Sequence, residues 1–142
     1  MNTMKIEAVE NAEVLKKPVD KIYEIADKEK GVEDIKFKSF SYAVKDQNNN
    51  IIGGITGWRA FDEIYIDELC IDKSIRGQGI GRKLVEIVEK EINDGTCENI
   101  NLITNKYQDA IGFYKKLDFK VEFIRKHKNS KFNKYYMVKV IK

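Results

Sequence analysis

Two periodicities run along the chain, and the places where one gives way to the other mark its elements. Ile6 and Ala8 alternate within Lys5 to Val9, which predicts a first strand. Val19, Ile22, Tyr23 and Ala26 then recur at i, i+3, i+4 and i+7, one face of a helix. Lys17-Pro18 sets its start, because Pro is tolerated in a first helical turn, and Gly31 sets its stop. Residues 32–38 are open between a short helix and a loop. Phe40, Tyr42 and Val44 alternate as a strand, the polar cluster 46–50 turns the chain, and residues 51–58 return as the second strand of an antiparallel hairpin. Gly53, Gly54 and Gly57 sit in that second strand. They signal either a bulge or close backbone approach, or merely a loosely specified strand.

The next strand, residues 63–71, changes phase. Ile64 and Ile66 are apolar on one parity, Leu69 and Ile71 on the other, with the slip at Asp67-Glu68. One extra residue swaps the inward face of a strand, as a β-bulge does; burial on both faces is the alternative. A helix follows with Ile80, Leu84, Ile87, Val88 and Ile92 on one stripe, ended at Asn93-Asp94-Gly95. Residues 99–104 read as a strand. Ala110, Phe113, Tyr114 and Leu117 form a helical face, and Phe119, Val121 and Phe123 alternate as a strand. A basic turn, residues 126–134, leads to a last strand at 135–141. The predicted order is β-α-β-β-β-α-β-α-β-β. That is an α/β chain with a mixed sheet, mostly antiparallel hairpins around one parallel β-α-β crossover, and helices on both faces.

Composition narrows the classes. The 142 residues, 42% hydrophobic and 35% charged, suit one globular domain, 1–142. No apolar run approaches the ~18 residues of a membrane span, and the N-terminus lacks an apolar signal core, so a cytoplasmic protein without membrane attachment is expected. A net charge of +3 with interspersed Lys and Glu does not indicate a nucleic-acid binder. Cys70 and Cys97 are expected as free thiols. With His127 as the single histidine, neither a Cys–His nucleophile nor a zinc site is indicated, and no metal is expected.

The chemistry gathers where the phase-slipped strand meets its helix. Arg76-Gly77-Gln78-Gly79-Ile80-Gly81-Arg82 is a strand–glycine loop–helix junction. A helix N-terminus presents unpaired N–H groups and a partial positive charge, and glycines let a phosphate approach them. The closing Gly-Lys-Ser/Thr of a Walker loop is absent. So is the third glycine of the dinucleotide fingerprint, whose position is Arg82. The loop instead resembles the Arg/Gln-x-x-Gly-x-Gly/Ala acetyl-CoA loop of the GNAT superfamily of N-acetyltransferases. Ala110-Ile111-Gly112-Phe113-Tyr114-Lys115-Lys116-Leu117-Asp118-Phe119 is similar to the family's Ala-x-x-x-Tyr-x-x-x-Gly-Phe segment, with Asp118 in place of Gly. Tyr107 stands where the family often has Asn; Asn105, two residues earlier, is the candidate in its place. The resemblance is strongest over residues 67–123, and Gly-Gly-Ile-Thr-Gly-Trp at 53–58 is similar to small bacterial-type members of unassigned substrate.

The resemblance implies the GNAT fold and direct acetyl transfer from acetyl-CoA, as cosubstrate, to a primary amine of a small molecule or protein, without a covalent enzyme intermediate. It implies that Leu69, Cys70 and Ile71 pair with the pantetheine arm and that Arg76, Gly77, Gln78, Gly79, Ile80, Gly81 and Arg82 hold the pyrophosphate, with Asn105 nearby. Tyr114 becomes the candidate general acid, since a phenol of pKa about 10 can protonate a departing thiolate. Glu68 and Asp67 become the candidate bases, with Glu63 a more distant one. Trp58, Phe61 and Tyr65 are candidates for the acceptor pocket, or else rim aromatics. A non-catalytic acyl-CoA-binding domain on the same fold, a small nucleotide-binding module and a homodimer remain open.

Overall fold

The structure, a computed structural model, describes residues 3–32 and 37–142. The ambiguous stretch at 32–38 therefore falls mostly outside the described residues. The chain divides into two compact units, Met1–Ile35 and Lys36–Lys142.

The first unit is built on helix α1, Glu13–Glu29. The expected strand at 5–9 does not form. Its alternation is only Ile6 and Ala8 before Val9 breaks it, too little apolar surface to offset the entropy of ordering the backbone. The helix also starts five residues before Pro18, which lies inside it. The Asn11 side chain accepts from Glu13 N–H at 2.9 Å and supplies the start signal that Pro18 had suggested. At the other end Gly31 adopts φ +74°. Its N–H donates to Lys28 O and that of Val32 to Asp27 O, a Schellman closure that bears out the predicted stop.

The second unit is a six-stranded sheet: β1 Phe37–Lys45, β2 Ile51–Ala60, β3 Glu63–Ile71, β4 Asn99–Asn105, β5 Lys120–Arg125 and β6 Lys134–Val140. Helix α2, Ile80–Ile92, joins β3 to β4, and helix α3, Ile111–Lys116, joins β4 to β5. The sheet order is β1-β2-β3-β4-β6-β5. β3 and β4 run parallel and the other pairings are antiparallel, the mixed α/β sheet the pattern predicted. The β1–β2 hairpin closes on Asp46, whose Oδ1 accepts from the N–H groups of Asn48 at 2.8 Å and Asn50 at 2.9 Å. These bonds hold its carboxyl below the usual carboxylate range.

The phase slip is a bulge. Gly57 pairs with Ile66 and Thr56 with Glu68, so Asp67 is the extra residue. Parallel pairing of β3 with β4 stops at the same point, running from Glu63↔Asn99 to Ile66↔Leu102. Beyond it β4 continues against β6 as far as Asn105. The two central strands therefore part, and the β4-facing edge of residues 67–71 is left without a strand partner. Ile55, Ile64, Ile66, Ile100, Leu102 and Met137 from the sheet meet Leu84, Val85, Val88 and Ile92 of α2 in one core. Ile87, predicted on the buried stripe, is 39% exposed, and Val85 takes its place. Arg59 is buried and fully engaged: Nε donates to Phe61 O at 3.0 Å, Nη2 to Thr96 Oγ1 at 2.7 Å, and Nη1 pairs with Asp94 at 2.9 Å. It ties the end of β2 to the segment entering β4.

Candidate active site

The loop leaving β3 is shaped by its own side chains. Asp72 Oδ1 accepts from Ser74 N–H at 2.9 Å and from Ser74 Oγ at 2.6 Å, which opens a short 3-10 turn, Lys73–Ile75. Those bonds lower the Asp72 pKa. Arg76 Nε donates back to Ile71 O at 3.1 Å, and Arg82 Nη2 donates to Lys116 O, at the C-terminus of α3, at 3.2 Å. The two arginines thus brace the loop and tie α2 to α3, and a cation at a helix C-terminus is favourable there.

The three glycines have different reasons. Gly77 and Gly79 lie at φ +81° and +77°, the left-handed region, and a Cβ on either would meet nothing within 4 Å. Their backbone faces open space, as access for an anion requires. Gly81 is a packing residue: a Cβ there would lie 2.7 Å from Phe113 Cζ, so its absence lets α3 close onto α2.

Between the parted strands and the two helices lies a cavity of about 540 Å³. One wall is Leu69, Cys70 and Ile71; another is the loop from Ile75 to Gly81; the third is Gln108, Asp109, Ala110, Phe113 and Tyr114. Eight of the residues expected to bind a cofactor line it: Leu69, Cys70, Ile71, Arg76, Gly77, Gly79, Ile80 and Gly81. Gln78, Arg82 and Asn105 do not. Asn105 ends β4, where its N–H donates to Gln108 Oε1 at 2.8 Å, and Gln108 and Asp109 occupy the wall instead. Sequence reasoning passed over Gln108, Asp109 and Phe113. For Asp109, at φ +53°, no periodicity marks the position; for Phe113 the signal was present but read as core.

Tyr114 lines this cavity. The residue is 7% exposed, its ring packs edge-to-face on Phe113 at 5.1 Å and Phe119 at 5.6 Å, and its hydroxyl has no protein partner among the described residues. Burial pushes its pKa up to about 12. The helix end that places it is a Schellman closure. Asp118 takes φ +70°, as the Gly-to-Asp departure required, and Phe119 N–H donates to Tyr114 O at 3.1 Å. Asp118→Gly is expected to stabilise the fold by about 0.5–1 kcal/mol, read by urea denaturation, because glycine adopts that conformation without cost.

Tyr114 also couples stability to alkaline pH. Its folded pKa of about 12 lies above the ordinary 10, so its contribution is complete below pH 10 and is lost as pH rises from 10 through 12. About 2–3 kcal/mol should disappear over that window, and Tyr114→Phe should flatten that part of the stability–pH curve. Tyr65, raised by burial and by the Asp67 carboxylate, adds in the same direction.

The carboxylates of Asp67 and Glu68 are not in the cavity wall. Both are exposed at the bulge; Glu68 Oε1 accepts from Thr56 Oγ1 at 3.4 Å, and Asp67 acts on the Tyr65 phenol. Tyr65 stacks on Trp58 at 4.5 Å and, with Glu63, Asn101, Glu122 and Tyr136, borders a second cavity of about 310 Å³. Phe61 is in the β2–β3 turn at φ +57° and 57% exposed, outside either cavity. Cys70 and Cys97 are both free, and burial pushes the Cys97 thiol up. Among the described residues no group of three or more metal-ligating side chains forms, and no helix is long and apolar enough to cross a membrane.

A strand pair parted by a bulge, a glycine loop capping a helix and a tyrosine-bearing helix thus surround one cavity. The sequence model of the acetyltransferase (GNAT) domain matches residues 38–121, and the chain belongs to that family. It is 38% identical over 79 residues to the peptidyl-lysine N-acetyltransferase YjaB of Salmonella typhimurium, covering 56% of this chain and 48% of that protein. It is 27% identical over 82 residues to an acetyltransferase of Agrobacterium fabrum, covering 58% and 59%. The chain thus spans about half the length of the curated relatives it matches. Among solved structures, an acetyltransferase from Bacillus cereus superposes with a TM-score of 0.74 at 25% identity, covering 95% of this chain and 98% of that one. One from Agrobacterium tumefaciens gives 0.77 at 22% identity, covering 99% and 100%.

Proposed function

We propose that this protein is an acetyl-CoA-dependent N-acetyltransferase that transfers acetyl to a primary amine of a small molecule or protein. The observation that carries the reading is Tyr114: a buried residue whose hydroxyl has no partner among the described residues, lining the same cavity as a glycine-capped helix N-terminus. The cavity suits acetyl-CoA on its own terms. Leu69, Ile71, Ile75, Ile80 and Phe113 offer an apolar wall to the acyl-pantetheine arm, and the open backbone at Gly77 and Gly79 offers donors to a pyrophosphate. The YjaB relative is named as acting on peptidyl-lysine, and a structural neighbour from Elizabethkingia anophelis was solved with acetyl-CoA bound.

Acetyl-CoA supplies the acetyl group already activated as a thioester; the chain's residues do the rest. Backbone groups of residues 69–71, released from β4 by the bulge, hold the arm and polarise the carbonyl. Tyr114 Oη keeps its proton throughout the neutral range and offers it to the leaving sulfur. Glu68 and Asp67, at the bulge, take the proton from the acceptor ammonium directly or through water. Two free thiols fit a reducing compartment, the cytoplasm.

Acetyl-CoA at a hundredfold excess over its dissociation constant should add about 2.7 kcal/mol, a rise in Tm of several degrees, whereas ATP should add little. Stabilisation by ATP alone would make the loop a nucleotide site and end this reading. Thiol release from acetyl-CoA across an amine panel then separates an enzyme from a non-catalytic acyl-CoA-binding domain.

A further inference from the structure

The mild net charge conceals a sharp division. The last 20 residues hold seven Lys or Arg and no Asp or Glu, so the preceding 122 carry 19 cations against 23 carboxylates. Five of those seven, Arg125, Lys126, Lys128, Lys131 and Lys134, lie at or between the facing ends of β5 and β6, and all are exposed. None has an ion-pair partner among the described residues; Arg125 rests on the Phe123 ring at 5.8 Å. Cations gathered in this way repel one another, which costs stability unless a counter-charge arrives.

The loop is also held in shape. His127 N–H donates to Asn133 Oδ1 at 2.8 Å, Lys131 N–H to Asn129 Oδ1 at 3.1 Å, and residues Ser130–Phe132 form a 3-10 turn. It is fastened to the segment after β4: Lys106 N–H donates to Asn133 O at 2.9 Å, and the Phe132 ring meets Tyr107 at 6.2 Å. The residues immediately following Tyr107, Gln108 and Asp109, line the large cavity. An ordered set of cations, unpaired among the described residues, is therefore fastened to the segment that leads into this cavity wall. It lies on a different segment from the glycine loop, whose own cation in the cavity lining is Arg76.

We infer that the acceptor is an acidic amine: a primary amine with carboxylates close by, which the β5–β6 loop holds. The inference rests on the acetyltransferase reading and gives it a substrate class. The chemistry fits either a small amino acid with an acidic side chain or a lysine within an acidic peptide segment. Electrostatic complementarity of this kind governs selection and association rate and weakens with salt.

The test uses the full chain with CoA present and C-terminally fluorescein-labelled heptapeptides carrying one central lysine, flanked by Asp/Glu, by Gly/Ser or by Arg. Anisotropy at 50 mM KCl should show the acidic peptide binding at least tenfold tighter than the neutral one, with the advantage shrinking at 300 mM. Aspartate and glutamate, added as competitors or as acceptors in the thiol-release assay, identify a small acceptor if they bind and the peptide does not. Lys126→Glu/Lys128→Glu/Lys131→Glu, and the milder triple change to Gln, should abolish the preference while leaving Tm no lower, since they relieve the repulsion, and the acetyl-CoA thermal shift unchanged. Equal binding of neutral or basic peptides without competition by the acidic amino acids would overturn the inference. So would a preference that survives both triple variants, or equally tight binding of a single-stranded oligonucleotide. A fivefold loss of acetyl-CoA affinity in the variants would assign the loop to the cosubstrate's phosphates instead. Failure of acetyl-CoA to stabilise the unsubstituted protein would sink the acetyltransferase reading, a result distinct from any of these.

Discussion

Tyr114→Phe is expected to lower turnover about a hundredfold or more while leaving acetyl-CoA affinity within about twofold. The substitution keeps the ring and its contacts with Phe113 and Phe119, and the hydroxyl it removes bonds to no protein group among the described residues. The fold should therefore tolerate it, and only chemistry should suffer. The pKa of about 12 shapes that chemistry. Full transfer of the phenolic proton to a thiolate with a conjugate acid near 8.5 would be uphill by roughly 5 kcal/mol. The phenol thus serves as a donor that engages only as negative charge builds on sulfur, and that cannot protonate it early. A corollary is that loss of activity above pH 8 should not come from Tyr114, which remains protonated there. Thiol release with a reactive amine measures the first effect, and the acetyl-CoA thermal shift measures the second. Unchanged turnover would remove Tyr114 from the mechanism; lost affinity would make it a packing residue.

The elements around the site were legible because each carried a period or a break in one. The slip from Ile64/Ile66 to Leu69/Ile71 located the bulge at Asp67, and Asp118 declared its left-handed helix end by chemistry alone. What the pattern could not supply was anything depending on contact across the fold. Gly81 looks like its neighbours Gly77 and Gly79 in the sequence, yet it is small because of Phe113, 32 residues away. Arg59 reads as a surface cation until Thr96 and Asp94 are brought to it. Asp67 and Glu68 mark the bulge correctly, but their side chains lie outside the large cavity, which a one-dimensional phase could not reveal. At the N-terminus a local signal misled: Pro18 was read as the helix start, yet the helix begins at Glu13, whose N–H is held by Asn11. In the β5–β6 loop the charges were visible, but the bond from Lys106 N–H to Asn133 O that fastens the loop to the segment after β4 was not.

Gly57→Ala should be the most damaging of the conservative changes. A Cβ at Gly57 would lie 2.0 Å from the Tyr65 carbonyl oxygen, 2.5 Å from Phe40 Cζ and 3.1 Å from Ile66 Cα. A phenyl ring tip can swing aside, but a backbone oxygen in a paired strand moves only if the strands separate. Gly57 is moreover the first residue on the register that follows the bulge, paired with Ile66. Relieving the clash means opening β2 from β3 where the extra residue is accommodated, with the buried Ile55, Ile64 and Ile66 on either side. The expected loss is about 3–5 kcal/mol, a fall in Tm of 10 °C or more, or failure to accumulate as folded protein. Gly112→Ala is the matched control: Gly112 is inside α3, a Cβ there meets nothing within 4 Å, and the change should stabilise by about 0.5–1 kcal/mol. Because the same bulge frees residues 69–71 from β4, any Gly57→Ala protein that does fold should bind acetyl-CoA more weakly in proportion to how far β3 has shifted. Thermal shifts of the two variants with and without acetyl-CoA measure both effects. A Gly57→Ala protein as stable as its parent would mean that β2 and β3 are not as close at the bulge as described, and with that the origin of the cavity would have to be sought elsewhere.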